Sequence, residues 1–184
     1  MRNGRTLLTY SDYARIPEDG RRHEIIGGVQ YVTPSPNQKH QRVSRWIHAQ
    51  LFDQIERRGL GEVVYAPMDV LLSPVDVVQP DIFVILDNKR KIANPQNVQG
   101  APNLVVEITS PSSRKRDLEV KRSLYASKRV PEYWIVHTNR NVVEKLVLGK
   151  RGYRRRGSYR KQIEFGGLPN VVVDLGQVWS ARSR

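Results

Sequence analysis

Residues 100–136 read GAPNLVVEITSPSSRKRDLEVKRSLYASKRVPEYWIV, and this stretch decides the fold. Leu104-Val105-Val106 and Tyr133-Trp134-Ile135-Val136 are continuous apolar runs rather than alternating ones. A strand with no polar face is buried on both sides, as in a central sheet covered by helices. Between the two runs, Leu118, Leu124 and Tyr125 recur at helical spacing, which predicts a helix from about Arg116 to Lys128. Strand, helix, strand makes the segments 103–109 and 132–138 parallel neighbours through a right-handed crossover.

Working outward, Ile82 to Leu86 form a third apolar run. Further strands are expected at 62–72, 80–86, 142–148 and 171–173, the last as an edge strand. Glu24-Ile25-Ile26 and Val29-Gln30-Tyr31-Val32 flank Gly27-Gly28, a tight-hairpin signal because both turn positions need positive φ. Ser35-Pro36 reads as an N-cap followed by proline at the first helical position. From there Val43, Ile47, Leu51 and Ile55 recur every four residues, with Trp46 beside them, giving an amphipathic helix that ends near Gly59. Thr9 can cap a short helix from Tyr10 to Ile16, stopped by Pro17. The fold class is α/β (α+β): a mixed central sheet flanked by helices, with an N-terminal hairpin. One domain over 1–184 is expected, with a core at about 6–160, a basic segment at 140–161 and a C-terminal strand and tail at 162–184.

Two acids stand where acids are costly. Asp81 opens an apolar strand directly after Pro80, and Glu107 interrupts Leu104-Val105-Val106-Glu107-Ile108. A buried carboxylate costs several kcal/mol unless it is paired or metal-bound. Pairing with a buried base, or exposure at a strand end, is the plain alternative for each. Lys121 lies three residues after Leu118 and three before Leu124, so it is on the apolar face of its helix. It either reaches Glu107 on the preceding strand or pairs with Asp117, one turn earlier. His40 opens the core-facing stripe of the longer helix, and Glu24 begins the hairpin. Either could face the same site or be an ordinary half-exposed residue.

Charge points to a partner. Lysine and arginine number 31 against 18 acids, a formal net charge of +13. Residues 140–161 alone hold nine basic side chains and one acid, Glu144, with Tyr153 and Tyr159 interleaved. So large and local an excess favours nucleic acid over a merely solvated face. The absence of cysteine excludes disulfides and thiolate metal sites and suits a reducing, cytoplasmic interior. No long apolar run spans a membrane, and Met1 to Tyr10 lack the apolar core of a signal peptide. No amphipathic helix has a fully basic polar face, which argues against a membrane surface. His40 and His48 are two turns apart rather than one, so no close zinc pair exists. A Gly-x-Ser-x-Gly elbow and a phosphate-cradling glycine loop are also missing.

Taken together, RRHEIIGGVQYVTPSPNQKHQRV, VVQPDIFVI and the quoted stretch resemble the PD-(D/E)XK nuclease superfamily, most closely its Uma-type restriction-endonuclease-like branch. The resemblance covers roughly residues 6–160. One departure stands out: the usual lysine position, two residues after the second acid, is Thr109. In this branch the following helix supplies the lysine, and Lys121 occupies that place. His23 stands where the branch often has tyrosine, and Gly27 where an acid is common.

The resemblance implies a Mg2+-dependent endonuclease, with Mn2+ as a substitute metal, acting on double-stranded DNA. Asp81, Glu107 and the Ile108 carbonyl would be metal ligands. Lys121, Glu24 and His40 would complete the catalytic set. Arg114, Lys115, Arg116, Lys150, Arg151, Arg154, Arg155 and Arg156 would grip the nucleic-acid backbone. A homodimer is expected by analogy with restriction-like nucleases. The rival is a non-catalytic nucleic-acid-binding protein that keeps the fold.

Overall fold

The computed structural model describes residues 7–33, 35–109 and 116–180, with 116–118 described by backbone alone. In chain order the first elements are α1 (Tyr10–Tyr13), β1 (Arg22–Ile26), β2 (Val29–Thr33), α2 (Gln38–Gln54), β3 (Gly61–Tyr65), β4 (Val70–Ser73), β5 (Asp76–Val78) and β6 (Ile82–Leu86). Then come β7 (Val98–Gln99), β8 (Leu104–Thr109), a π-helical turn (Arg116–Lys121), α3 (Arg122–Ser127), β9 (Glu132–His137), β10 (Val142–Gly149), β11 (Gly152–Tyr159), β12 (Gln162–Glu164), β13 (Val172–Asp174) and α4 (Leu175–Ser180).

The three apolar runs form the middle of a six-stranded sheet ordered β11-β10-β9-β8-β6-β3. Only β8 and β9 are parallel, and the connection between them carries the π turn and α3. The sheet is mixed, as expected. Both faces are covered, which is why the strands lack polar alternation. On one face, Val43, Ile47 and Leu51 of α2, with Ile55 just after it, pack over Ile82, Val84, Leu104, Val106 and Trp134, and the β12–β13 pair and α4 close the layer. On the other face, Phe83, Ile85, Val105 and Ile135 meet Leu124 and Tyr125 of α3. A second sheet, β2-β1-β5-β4-β7, covers the rest of that face through Ile26, Val70, Val78 and Val98.

Several expectations need correction. The segment 62–72 is two strands, not one. Proline has no N–H to give a ladder, and after Pro67 the chain leaves the central sheet for the second one as β4. The cap of α2 is Asn37, not Ser35: the Asn37 side chain accepts the His40 N–H at 2.9 Å, and proline stands before the cap. The first helix stops at Tyr13 instead of Ile16. The helix at 116–128 is wide-wound until Lys121 and regular only after it. The edge strand expected at 171–173 is present one residue later as β13 and pairs with β12 in a separate two-stranded sheet.

The hairpin is as expected, with Gly27 at φ 59° and Gly28 at φ 74°. Asp76 fastens it to the far end of α3. Its carboxylate accepts the Gly27 N–H at 2.7 Å and meets Lys128 Nζ at 2.8 Å. Burial pushes the Asp76 carboxyl up, but Lys128, Ser73 and Gly27 together hold it below its usual range. The second sheet, the hairpin and α3 are thereby tied together. No helix among the described residues is long and apolar enough to cross a membrane.

Candidate active site

The β6–β8 ladder pairs Ile82 with Val106, so one step further Asp81 stands opposite Glu107. Directly opposed residues share a face, and this face is the one under α3 and the second sheet. Asp81 Oδ2 accepts the Ile108 N–H at 2.8 Å, which continues the ladder with a side chain. β1 crosses above. Its period of two puts Arg22, Glu24 and Ile26 on the inward side. Lys121 comes from the last residue of the π turn, and Tyr125 lies one turn later.

These groups are out of water: Glu24 is 0% exposed, Lys121 2%, and Asp81 and Glu107 3% each. Lys121 Nζ lies 2.8 Å from Glu107 Oε1 and 2.9 Å from Glu24 Oε1. Glu107 Oε1 also accepts the Tyr125 hydroxyl at 2.6 Å. Glu24 Oε1 also accepts the Gln79 backbone N–H at 2.9 Å. Asp81 Oδ1 meets Arg22 at 2.8 Å, and Oδ2 meets His40 Nε2 at 3.1 Å. Burial pushes the Asp81 carboxyl up, but hydrogen bonds and charge from His40 and Arg22 outweigh it and hold it at about 2. An ionised carboxylate can only accept, so His40 Nε2 carries the proton in that bond. Burial also acts on the Tyr125 phenol, with Glu107 and Glu24 beside it, and raises it well above its usual value. Tyr125 therefore remains a donor.

The five expected catalytic residues come together. Asp81, Glu107, Lys121, Glu24 and His40 form one connected network, and the Lys121–Glu107 pairing is the one present. The competing partner, Asp117, lies outside the described side chains. Three further members were not anticipated: Arg22, Gln79 and Tyr125. Arg22 and Tyr125 had a signal. Arg22 is two residues before Glu24 on the same strand face, and Tyr125 is four residues after Lys121 on the same helical face. Gln79 contributes through its backbone, which no side-chain pattern announces.

The donor chemistry suits a hard divalent cation, since the available ligands are carboxylate oxygens. Among the described residues, no group of three or more histidines and acids is set around a common metal position. Both Asp81 oxygens are engaged by protein donors. A cation at Asp81 would thus replace a protein cation rather than fill an uncompensated hole.

The expected nucleic-acid-binding residues are spread out. Arg114 and Lys115 lie outside the described residues, as does the Arg116 side chain. Arg154, Arg155 and Arg156 are exposed on β11, the edge strand of the central sheet. Arg155 faces Leu146 on the Glu107 side, whereas Arg154 faces Val147 on the other. Lys150 and Arg151 form the β10–β11 turn. Glu107 aligns through Ile135 with Glu144, so that turn lies six residues along β10, about 20 Å from the site's level.

No curated protein matches the chain. Among solved structures, it resembles a putative nuclease belonging to DUF820 from Anabaena variabilis, with a TM-score of 0.76 and 13% identity. That likeness covers 94% of this chain and 98% of the other, and at such identity it speaks for the fold. The family model Uma2, described as "Putative restriction endonuclease", matches residues 10–174, and the chain belongs to that family.

Proposed function

We propose that the protein is a metal-assisted endonuclease that hydrolyses phosphodiester bonds of double-stranded DNA. The observation that carries this reading is the buried lysine shared between two carboxylates, Glu24 and Glu107, with Asp81 opposite Glu107 on the next strand. A stable core has no need of such a group, since apolar residues of similar volume are often at least as stabilising.

Asp81 and Glu107 would hold Mg2+, or Mn2+ in its place, with the Ile108 carbonyl as a third ligand. When bound, the cation supplies Lewis acidity toward the phosphoryl oxygens and acidifies water. Lys121 holds the attacking water and favours hydroxide by its charge. Glu24 and Tyr125 fix the lysine and its partner Glu107 in place. His40 is anchored on Asp81 by Nε2, and its ring orients the scissile phosphate. The basic residues of β11 and the β10–β11 turn grip phosphates, which positions the duplex without reading its sequence. A homodimer would place one such centre on each strand.

The test incubates supercoiled plasmid with the wild type, Glu107→Ala and Lys121→Ala, in Mg2+, Mn2+ or chelator. Circular dichroism confirms that the variants are folded. Nicking that needs metal and disappears in both variants is expected, with DNA binding largely retained. Salt-sensitive plasmid binding without wild-type cleavage would replace this reading with a binding protein that keeps the fold.

A further inference from the structure

A cleft of about 730 Å³ opens beside the buried centre, walled by the α1 region, the start of β1 and the first turn of α2. Arg22 and Gln79 belong to both: each lines the cleft, Arg22 bonds Asp81, and the Gln79 backbone bonds Glu24. The cleft wall is therefore continuous with the residues that would act on the scissile bond. Tyr13, Asp69 and Gln79 form a closed polar triangle on the wall. The Tyr13 hydroxyl donates to Asp69 Oδ1 at 2.6 Å, and Gln79 Nε2 reaches the Tyr13 oxygen at 3.0 Å and Asp69 Oδ1 at 2.9 Å. Arg21, with its side chain 67% exposed, and Gln41 on the exposed side of α2 stand at the rim.

We infer that this cleft is a nucleotide pocket, which receives one unstacked nucleotide adjoining the scissile phosphate. The inference rests on the nuclease reading and adds a substrate class to it: DNA with an unpaired nucleotide at the cleavage site. Its volume is within the roughly 300–1,000 Å³ of small-molecule sites, too small for a base pair still stacked in a duplex. Its chemistry divides as a nucleotide's does. Arg21 and Arg22 answer the phosphate, and the fixed Tyr13–Asp69–Gln79 triangle, whose O–H and amide N–H groups bond within it, leaves carboxylate and amide oxygens as acceptors for a base edge. An acid in a site for a polyanion is unfavourable unless it meets a donor, and the amino group of a base is such a donor.

The test is made in chelator, so that binding is read without cleavage. Labelled blunt duplex and the same duplex with a short single-stranded tail are titrated by fluorescence anisotropy. The wild type is expected to prefer the tailed duplex by on the order of tenfold, the scale of one base held by hydrogen bonds to its edge. Gln41→Trp fills the cleft from an exposed helix position and should remove the preference while keeping the blunt-duplex affinity and the wild-type melting temperature. Asp69→Asn keeps the shape, changes the acceptor, and should weaken only the tailed complex. Equal wild-type affinity for the two DNAs, or a preference that survives Gln41→Trp, would overturn the pocket. Metal-dependent plasmid cleavage without tail preference would remove the pocket and leave the nuclease standing. No binding and no cleavage would remove both.

Discussion

Lys121 is a long cation with only 2% of its surface exposed, held between two carboxylates. Removing one partner of a buried ion network leaves uncompensated charge, so Lys121→Met should lose about 3–5 kcal/mol of stability. Urea unfolding of the two proteins measures it, and a loss below 1 kcal/mol would show that the carboxylates are compensated elsewhere. Asp81 makes a separate, pH-dependent prediction. Its carboxyl is held at about 2 against a usual 3.8. A depressed carboxyl contributes its stability above the unfolded value and loses it as pH falls through the folded one. The contribution of ~2 kcal/mol should therefore fade between about pH 4 and pH 2. Acid titration of stability should be flatter across that window in Asp81→Asn. Arg22, with its side chain 20% exposed, occupies Asp81 Oδ1. If Asp81 is a metal ligand, Arg22→Met should tighten Mn2+ binding to the DNA-free protein, as titration calorimetry would show. Unchanged or weaker binding would mean that arginine and metal do not compete.

At the scale of elements, two glycines of the β3 approach separate backbone strain from collision. Gly59 has φ +67°, and a Cβ there would meet nothing within 4 Å. Gly61 is closed in: its Cβ would stand 2.4 Å from the Ile85 carbonyl oxygen of β6. Gly59→Ala should cost about 1–2 kcal/mol, the left-handed penalty alone. Gly61→Ala should cost more, because the β3–β6 ladder must shift, and thermal melts of the pair test the order.

What was legible in the sequence follows the same physics. The runs at Ile82, Leu104 and Tyr133 announced central strands because burial on two faces leaves no polar alternation. The acids interrupting those runs stood out for the same reason, and Lys121 stood out on an apolar helix face. β11 was illegible because it is an edge strand reading Tyr153-Arg154-Arg155-Arg156, with a bulge opposite Lys145-Leu146 and no apolar period. β5 and β7 are only three and two residues long and exist through their neighbours in the second sheet. Arg22 and Gln79 joined the site through that same sheet, whose assembly no local pattern encodes.

For the whole molecule, the net charge of +13 is an electrostatic footprint whose geometry now has a scale. Lys150 and Arg151 sit at the far end of the β10–β11 hairpin, about 20 Å along the strands from the level of Glu107. Along B-DNA that distance spans about six phosphates of one strand. The turn can therefore touch a duplex only if the duplex extends that far beyond the cleaved bond. Replacing Lys150 and Arg151 by glutamine should reduce the salt dependence of binding by about two phosphate contacts on a long duplex. On a duplex ending short of that reach, the same double variant should bind like the wild type. Turnover at saturating long DNA should be unaffected, because phosphate contacts position the substrate and do not enter the chemistry. An unchanged salt slope on long DNA would place the turn outside the footprint. Binding would then fall to Arg155, on the Glu107 side of the sheet, and to the cations at the mouth of the cleft.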